Sequence, residues 1–531
     1  MPIDDTESFI IAVSPTPNAF YISDSAGNDN NDGKSESSPW RTLNKVNNAL
    51  NSGIIPQNSH ILLKRGDTFS GYIRIPIDGL SINEPLTIGT YGTGDKPIIT
   101  GGGANAAIEI FTHGYIKIKN ISFNNINRML WVEDYCSHIE LDGIEGTNYV
   151  RFGGIVFRDH INNVYIHDCY FDSTDRQPSN MDTIYATGLS YALIENNTFL
   201  NASHNSITLY GAPQQGQHGD VGEWVVVRNN YFDDLRHSVC ILYGQQHTLL
   251  ENNYIKKTKY TGIDGGCEQY GGLTDYIIRN NIFYEPMGEK SIGAWGTDLI
   301  LLDATRVSMY NNTFYSTGTN GSLHRVLQHA LYNGVNNIKH IHYINNIIYA
   351  TNTSQAVSTT KGAEASGTFS DLFFKNNMFY VGDEPTSNIF HFNRGGNLYY
   401  NLPTLQGPSP PQADWVTFVD NTWDNPQLNA DMSLQSGSPA LNNGIPLAEA
   451  TGTGYGNQIP VSHAFYFYPQ VQILNLIVPG DNIFVGANEN LEILSIDYEN
   501  NILVIDKQIS YSTGDKISLS RYGMTPNIGA L

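Results

Sequence analysis

Asn196-Asn197-Thr198-Phe199 is the first full copy of a phrase that organises this chain. It returns as Asn229-Asn230-Tyr231-Phe232, Asn252-Asn253-Tyr254-Ile255 and Asn280-Asn281-Ile282-Phe283. Three more copies follow: Asn311-Asn312-Thr313-Phe314, Asn345-Asn346-Ile347-Ile348 and Asn376-Asn377-Met378-Phe379. Degenerate versions precede them at Lys119-Asn120-Ile121-Ser122-Phe123 and His167-Asp168-Cys169-Tyr170-Phe171. From Phe199 the fourth positions are 33, 23, 28, 31, 34 and 31 residues apart. A period of this size marks stacked supersecondary units, none of which can bury its apolar face alone.

The content of each unit says which solenoid it builds. Ahead of the Asn pairs stand short β-prone runs: Ala192-Leu193-Ile194, Val225-Val226-Val227, Tyr276-Ile277-Ile278 and Val307-Ser308-Met309. Such runs, bounded by Asn, Gly and Asp, read as strands. No unit carries an apolar stripe long enough for the helices of a helical repeat. Asn tolerates left-handed backbone and bonds its own main chain, so the pair supplies the bend, and stacked amides can bond along the axis. The expected fold is all-β: a right-handed parallel β-helix. In its strand–Asn–strand phrase and spacing, most of the chain resembles the pectin-lyase-like superfamily of carbohydrate-active β-helices. The resemblance implies a glycan-acting protein without specifying the reaction, because β-helices host lyases, hydrolases, epimerases and inert adhesins.

Composition narrows the partners. The 531 residues carry a formal net charge of −22, which argues against nucleic acid or an anionic membrane surface, since both need clustered Lys and Arg. An acidic polysaccharide in a locally basic cleft is not excluded. The 32 tyrosines and six tryptophans suit either a sugar-stacking surface or a core of stacked rings. Cys136, Cys169, Cys240 and Cys267 form no zinc pattern, and Cys240 is expected at an inward strand position as a buried thiol. Met1-Pro2-Ile3-Asp4-Asp5 has neither a basic region nor a signal-like run, and no stretch approaches a membrane span. Extracellular action is still expected, through a trimmed signal or by lysis in a phage protein.

Taken in order, residues 1–19 read as a leader and 20–60 as an N-terminal cap. The cap holds an Asp-rich loop, Asp24–Gly33, and an amphipathic helix through Leu50 with Leu43, Val46 and Leu50 on one face. This opening is similar to the cap of many secreted bacterial β-helix enzymes. The loop has oxygen donors that calcium could use but lacks EF-hand spacing, so a solvated loop is expected and no catalytic cofactor. Arg65-Gly66-Asp67-Thr68-Phe69 reads as a strand-to-turn element, not a ligand motif. Residues 61–445 form the β-helix. Residues 446–531 alternate short strands with turns, read as a small β-rich module capping the C-terminal end, with Pro526–Ala530 as its last strand.

The repeat also gives a register from which a site can be sought. Five residues past the fourth position come His204, His237 and Tyr260, and then Thr208, Ile241 and Asp264 at the alternate parity. Strands lie about 4.8 Å apart, so each set should form a column. For glycoside hydrolysis, which needs paired carboxylates, Asp264 in Gly262–Glu268 is the first candidate. Glu268 could partner it, and Glu223 and Asp220 lie on the insertion 212–224. Insertions in repeat proteins usually map to the functional face. For β-elimination on a uronate, which needs a base and a cation, the candidates are His204, His237, Tyr260, Lys257 and Arg236. Arg325 and His329 on an interrupted turn, and Trp295, complete the expected substrate contacts. Asp234, Lys257 and Glu285 alternate in charge and read as a surface salt-bridge ladder. The reading is an extracellular glycoside hydrolase. Its alternatives are a polysaccharide lyase and a phage tailspike or glycan-binding adhesin. A monomer is expected, or a trimer if the chain is a tailspike.

Overall fold

In the computed structural model, the two asparagines of each phrase do different jobs. The first adopts left-handed backbone: φ lies between 53° and 57° at Asn196, Asn229, Asn252, Asn280, Asn311, Asn345 and Asn376. Asn accepts this region at little cost, so the chain can turn there from one sheet into the next. The second is buried and bonds along the axis. The amides of Asn197, Asn230, Asn253, Asn281, Asn312, Asn346 and Asn377 each donate to the side-chain oxygen of the next, at 2.9–3.1 Å. The ladder starts at the Cys169 amide, which donates to Asn197. It ends where Asn421 donates to Gln406 Oε1 at 3.0 Å. The degenerate turns place Ile121, Ile144 and Cys169 at this position, and all three are buried.

The structure describes residues 18–103, 105–149, 153–173, 182–211, 222–242, 244–259, 261–266, 273–285, 297–302, 304–317, 325–331, 337–351, 355–361, 368–381, 384–393, 397–523 and 526–530. Among these residues three long sheets form the solenoid. Sheet 1 has 14 strands and contains the runs that lead into the Asn pairs; sheets 2 and 3 have 13 each. Each turn passes through sheets 1, 2 and 3 in sequence, and every solenoid pairing is parallel except the last of sheet 3, Phe390–Asn393 with Asn397–Tyr400. The fold is a right-handed parallel β-helix.

Alternate residues point into the shaft, where like stacks on like. Phe171, Phe199 and Phe232 stack at 4.9–5.3 Å between ring centres, and Phe283 stacks on Phe314 at 4.5 Å. Burying each such ring contributes roughly 1.5–3 kcal/mol. A second stack, Tyr231, Tyr254, Tyr284, Tyr315, Tyr349 and Tyr380, runs half-buried along the outside of sheet 2 at 4.9–6.2 Å. These rings turn their faces to one another, so their edges are what the surface presents.

Both ends are covered. The helix Leu43–Asn51 is capped by Thr42 and buries Leu43, Val46 and Leu50. Its Asn47 amide donates to the Tyr72 carbonyl and accepts from Arg74 N, closing the free edge of the first sheet-3 strand. In the Asp-rich loop, Asp29 and Asp32 are committed to internal hydrogen bonds with Arg41, Thr42, Lys34 and Ser38. Asp67 of the Arg-Gly-Asp phrase accepts from Ser23, and Gly66 takes φ 84°, a turn role. At the far end Leu402, Leu405, Trp415 and Phe418 close the shaft.

The C-terminal module departs from the expected cap: it lies along the side of the solenoid. Its six-stranded antiparallel sheet and the hairpin Val471–Val478 share one core with Leu193, Val226, Leu249, Ile277, Tyr310 and Ile344, the outward residues of sheet 1. Arg279 anchors it, with a two-pronged bond to Asp481 at 2.6 and 2.7 Å and a third bond to Glu251 at 2.9 Å, all buried. Residues 526–530 form no strand; Ile528 packs with Ile347, Met378 and Ala440. The reason is legible in the runs themselves: strands apolar on both faces must be covered on both.

Candidate functional site

Sheet 3 brings several of the expected residues together, in a register one residue away from the expected one. His237 pairs with Asn205 and Thr261, and Asp264 pairs with Cys240, which pairs with Thr208. The expected columns His204–His237–Tyr260 and Thr208–Ile241–Asp264 are therefore corrected. The cause is a corner one residue shorter after Phe232 than after Phe199 or Ile255. Ile241 is in the core, while Cys240 holds the register position between Thr208 and Asp264, its side chain lying outside the described residues.

His204 and His237 still meet, edge to face, at 5.9 Å between ring centres. The His237 amide donates to the His204 carbonyl at 3.0 Å. His237 Nδ1 bonds Thr261 Oγ1 and lies 3.9 Å from an Asp264 oxygen. Burial, with smaller contributions from His204 and Arg236, pushes the His237 imidazole down to about 3, so it stays neutral at any ordinary pH.

The sequence reading missed the residue that organises this corner. Asp182, 1% exposed at its side chain, accepts from His204 Nδ1 at 2.5 Å, from Asn205 N at 3.2 Å and from Thr208 Oγ1 at 2.8 Å. Asn205 in turn donates to Thr208 at 2.8 Å. A buried carboxylate on one ring nitrogen fixes the tautomer and leaves the other nitrogen to act. The His204 side chain is 25% exposed and that of Asp264 24%, so both reach solvent while Asp182 does not. A signal was present: Asp182 enters its strand one turn before Asn205, a polar residue at a strand start.

A further polar group continues the Asp264 column. Gln328 is two strands on, paired through Ile300, and is 1% exposed, with neither amide atom hydrogen-bonded among the described residues. An amide buried without a partner costs about 1–3 kcal/mol, which a ligand hydroxyl would relieve.

The other expected residues scatter. Glu223 opens a strand of sheet 1, where its charge acts on Tyr191 and His247 beside the module, so it does not join Asp264. His329 points into the shaft, between core residues Leu327 and Leu331, and bonds the Tyr343 hydroxyl at 2.7 Å. Burial lowers it to about 4; it is a core histidine and not a groove residue. Arg236 immediately precedes His237. Lys257 occupies the left-handed corner, φ 50°, that Asp234 and Glu285 occupy in neighbouring turns. The ion pairs seen there join Lys256 to Asp233 and Lys259 to Asp234, both at 3.2 Å, in place of an Asp234–Lys257–Glu285 ladder. Arg325 pairs with Thr297 and Gln355 by its backbone, its side chain being outside the described residues. Glu268, Tyr260, Asp220 and Trp295 also lie outside the described residues.

One group among the described residues has metal-ligand geometry: Glu140, Asp142 and His167 on sheet 1. The Lys117 ammonium already sits on it, 2.7 Å from Glu140 and 3.1 Å from Asp142, so it reads as an ion-pair ladder.

Comparison with known proteins agrees with the fold. The family model described as the right handed beta helix region matches residues 217–399. A lacto-N-biosidase of Bifidobacterium longum subsp. longum is 23% identical over 293 residues, covering 45% of this chain and 18% of that protein's length. Among solved structures, the chain is similar to the native GH136 lacto-N-biosidase from Eubacterium ramulus, at 13% identity and TM-score 0.40, covering 76% of this chain and 67% of that one. A family 28 exopolygalacturonase of Yersinia enterocolitica aligns at 12% identity and TM-score 0.45, over 76% of this chain and 78% of that one.

Proposed function

We propose that this protein hydrolyses a glycan, outside the cell, in a groove over sheet 3. Asp264 acts as general acid and His204, oriented by Asp182, as general base. The observation that carries the reading is a carboxylate-held histidine beside a second, solvent-reaching carboxylate: buried Asp182 accepts from His204 Nδ1, and His237, 5.9 Å from His204 between ring centres, lies 3.9 Å from an Asp264 oxygen. In the step, a water oxygen attacks the anomeric carbon and gives its proton to His204 Nε2. The bond to the glycosidic oxygen breaks, and that oxygen takes the proton of Asp264. His237, neutral and tied to Thr261, adds no charge between them. The lacto-N-biosidase relative supports the substrate class.

Arg236, a cation next to His237, favours a second reading: β-elimination on a uronate, with His204 as the base. Digests of neutral and uronic polysaccharides separate the two. Hydrolysis releases reducing ends with no new ultraviolet absorbance, whereas elimination raises both together. Absorbance rising with the reducing ends overturns the hydrolase. Neither signal, with retention on a glycan column, would leave a binding protein of the adhesin kind.

A further inference from the structure

A second candidate site lies on another face, where the C-terminal module meets the last turns of sheet 1. There the two enclose a cleft of about 390 Å³, within the range of small-molecule sites. Its floor is apolar. Ile344 and Phe373 come from neighbouring sheet-1 strands, and Pro446 and Leu447 from the segment that leads into the module. Phe373 is half-buried, so part of its ring faces the cleft.

The rim differs in kind. It carries two ammonium groups, Lys375 and Lys516, and two carboxylates, Glu449 and Asp420, together with Ser462 and His463. Lys516 bonds Glu449 at 2.5 Å and, with help from the Lys375 charge, holds its carboxyl below the usual range. Burial first, and the His342 charge second, push His463 down to about 4, so at neutral pH its ring offers one donor and one acceptor. The Tyr466 hydroxyl is already taken by His342.

The balance of charge selects the ligand. Equal numbers of cations and anions leave no net field for a phosphate, a uronate or a metal ion. Donors and acceptors of both signs lining a cleft with an apolar part match a neutral polyol ring, whose hydroxyls do both and whose C–H face packs on an aromatic. We propose that this cleft is an accessory sugar site that takes one neutral pyranose unit of a glycan. It exists only while the module is docked on sheet 1, and it does not depend on the chemistry at sheet 3.

The test uses the full chain and saturation-transfer NMR with titration. The probes are the methyl pyranosides of glucose, galactose, mannose and N-acetylglucosamine, with galacturonate as the anionic control. At least one neutral pyranoside should bind, and Asp264→Asn should bind it as the wild type does. Phe373→Ala and Lys375→Met should each weaken it about tenfold or more, with thermal unfolding unchanged. If Phe373→Ala unfolds, Lys375→Met decides. No binding by any neutral probe, tighter binding of galacturonate, or affinity unchanged in the folded variants would each overturn the proposal. Because Asp264→Asn is silent here and abolishes the proposed hydrolysis, failure of one site is distinguishable from failure of the other.

Discussion

Replacing Asn312 with alanine should cost this protein more than almost any other single truncation of that size. Its amide donates to the Ile278 carbonyl at 2.8 Å and to Asn346 Oδ1 at 3.0 Å, and accepts from Asn281 N and Nδ2 at 3.0 and 3.1 Å. The site is fully buried, so no water replaces these bonds. Four bonds at about 1 kcal/mol each, with the Asn281 backbone N–H left unpaired in the interior while its side-chain amide keeps the Leu250 and Arg279 carbonyls, put the loss at roughly 4–6 kcal/mol. Asn421→Ala is the internal control. It sits at the ladder's end and makes the same four side-chain bonds, donating to Phe374 O and Gln406 Oε1 and accepting from Asn377 N and Nδ2, so it should lose a similar amount. Denaturant midpoints followed by circular dichroism and fluorescence give the totals. Hydrogen exchange at residues 278–281 and 344–348 gives the local effect, since solenoid stability is a nearest-neighbour sum. A loss below ~1 kcal/mol for Asn312→Ala would refute the ladder as a source of stability.

Three further outcomes follow from the same structure. Asp481→Ala removes the two-pronged partner of the buried Arg279 guanidinium, leaving it Glu251, and should destabilise module docking by about 3 kcal/mol, while Arg279→Met with Asp481→Leu should recover most of it; differential scanning calorimetry reads both. Burial would raise the Glu251 carboxyl, but Arg279 and Arg521 outweigh it and hold it down to about 2 from 4.5. Its stabilisation is therefore complete above pH 4.5 and lost as pH falls towards 2, so limited proteolysis should release the module in that window and not on the alkaline side. On any cleaved glycan, His204→Ala should lower kcat about 10²–10⁴-fold, and Asp182→Asn should shift the acidic limb of the pH–rate profile, set by protonation of the His204 base, to lower pH; an unmoved profile would remove Asp182 from its positioning role.

The backbone was legible because each turn repeats its own physics. A left-handed Asn, a buried Asn and an inward Phe recur at the same offsets, and the shaft follows from them. The site was only half legible. Asp264, His204 and His237 are near one another, but a corner one residue shorter after Phe232 shifted His237 onto Asn205, which no count from the phrase could show. His329 failed on parity, since one residue decides between shaft and groove. Asp182 was missed because it lies on a turn whose phrase is degenerate. The position of the module was written in Leu193, Val226 and Ile277, apolar residues on the outward side of sheet 1 that had to be covered by something.

The most direct test of the account is reducing-end release from a broad glycan panel by the wild type and by Asp264→Asn, with the variant's fold checked by circular dichroism. Hydrolysis in the groove over sheet 3 predicts release by the wild type from at least one glycan and none above background from the variant. Release that survives Asp264→Asn undiminished would contradict the assignment of the chemistry to this site.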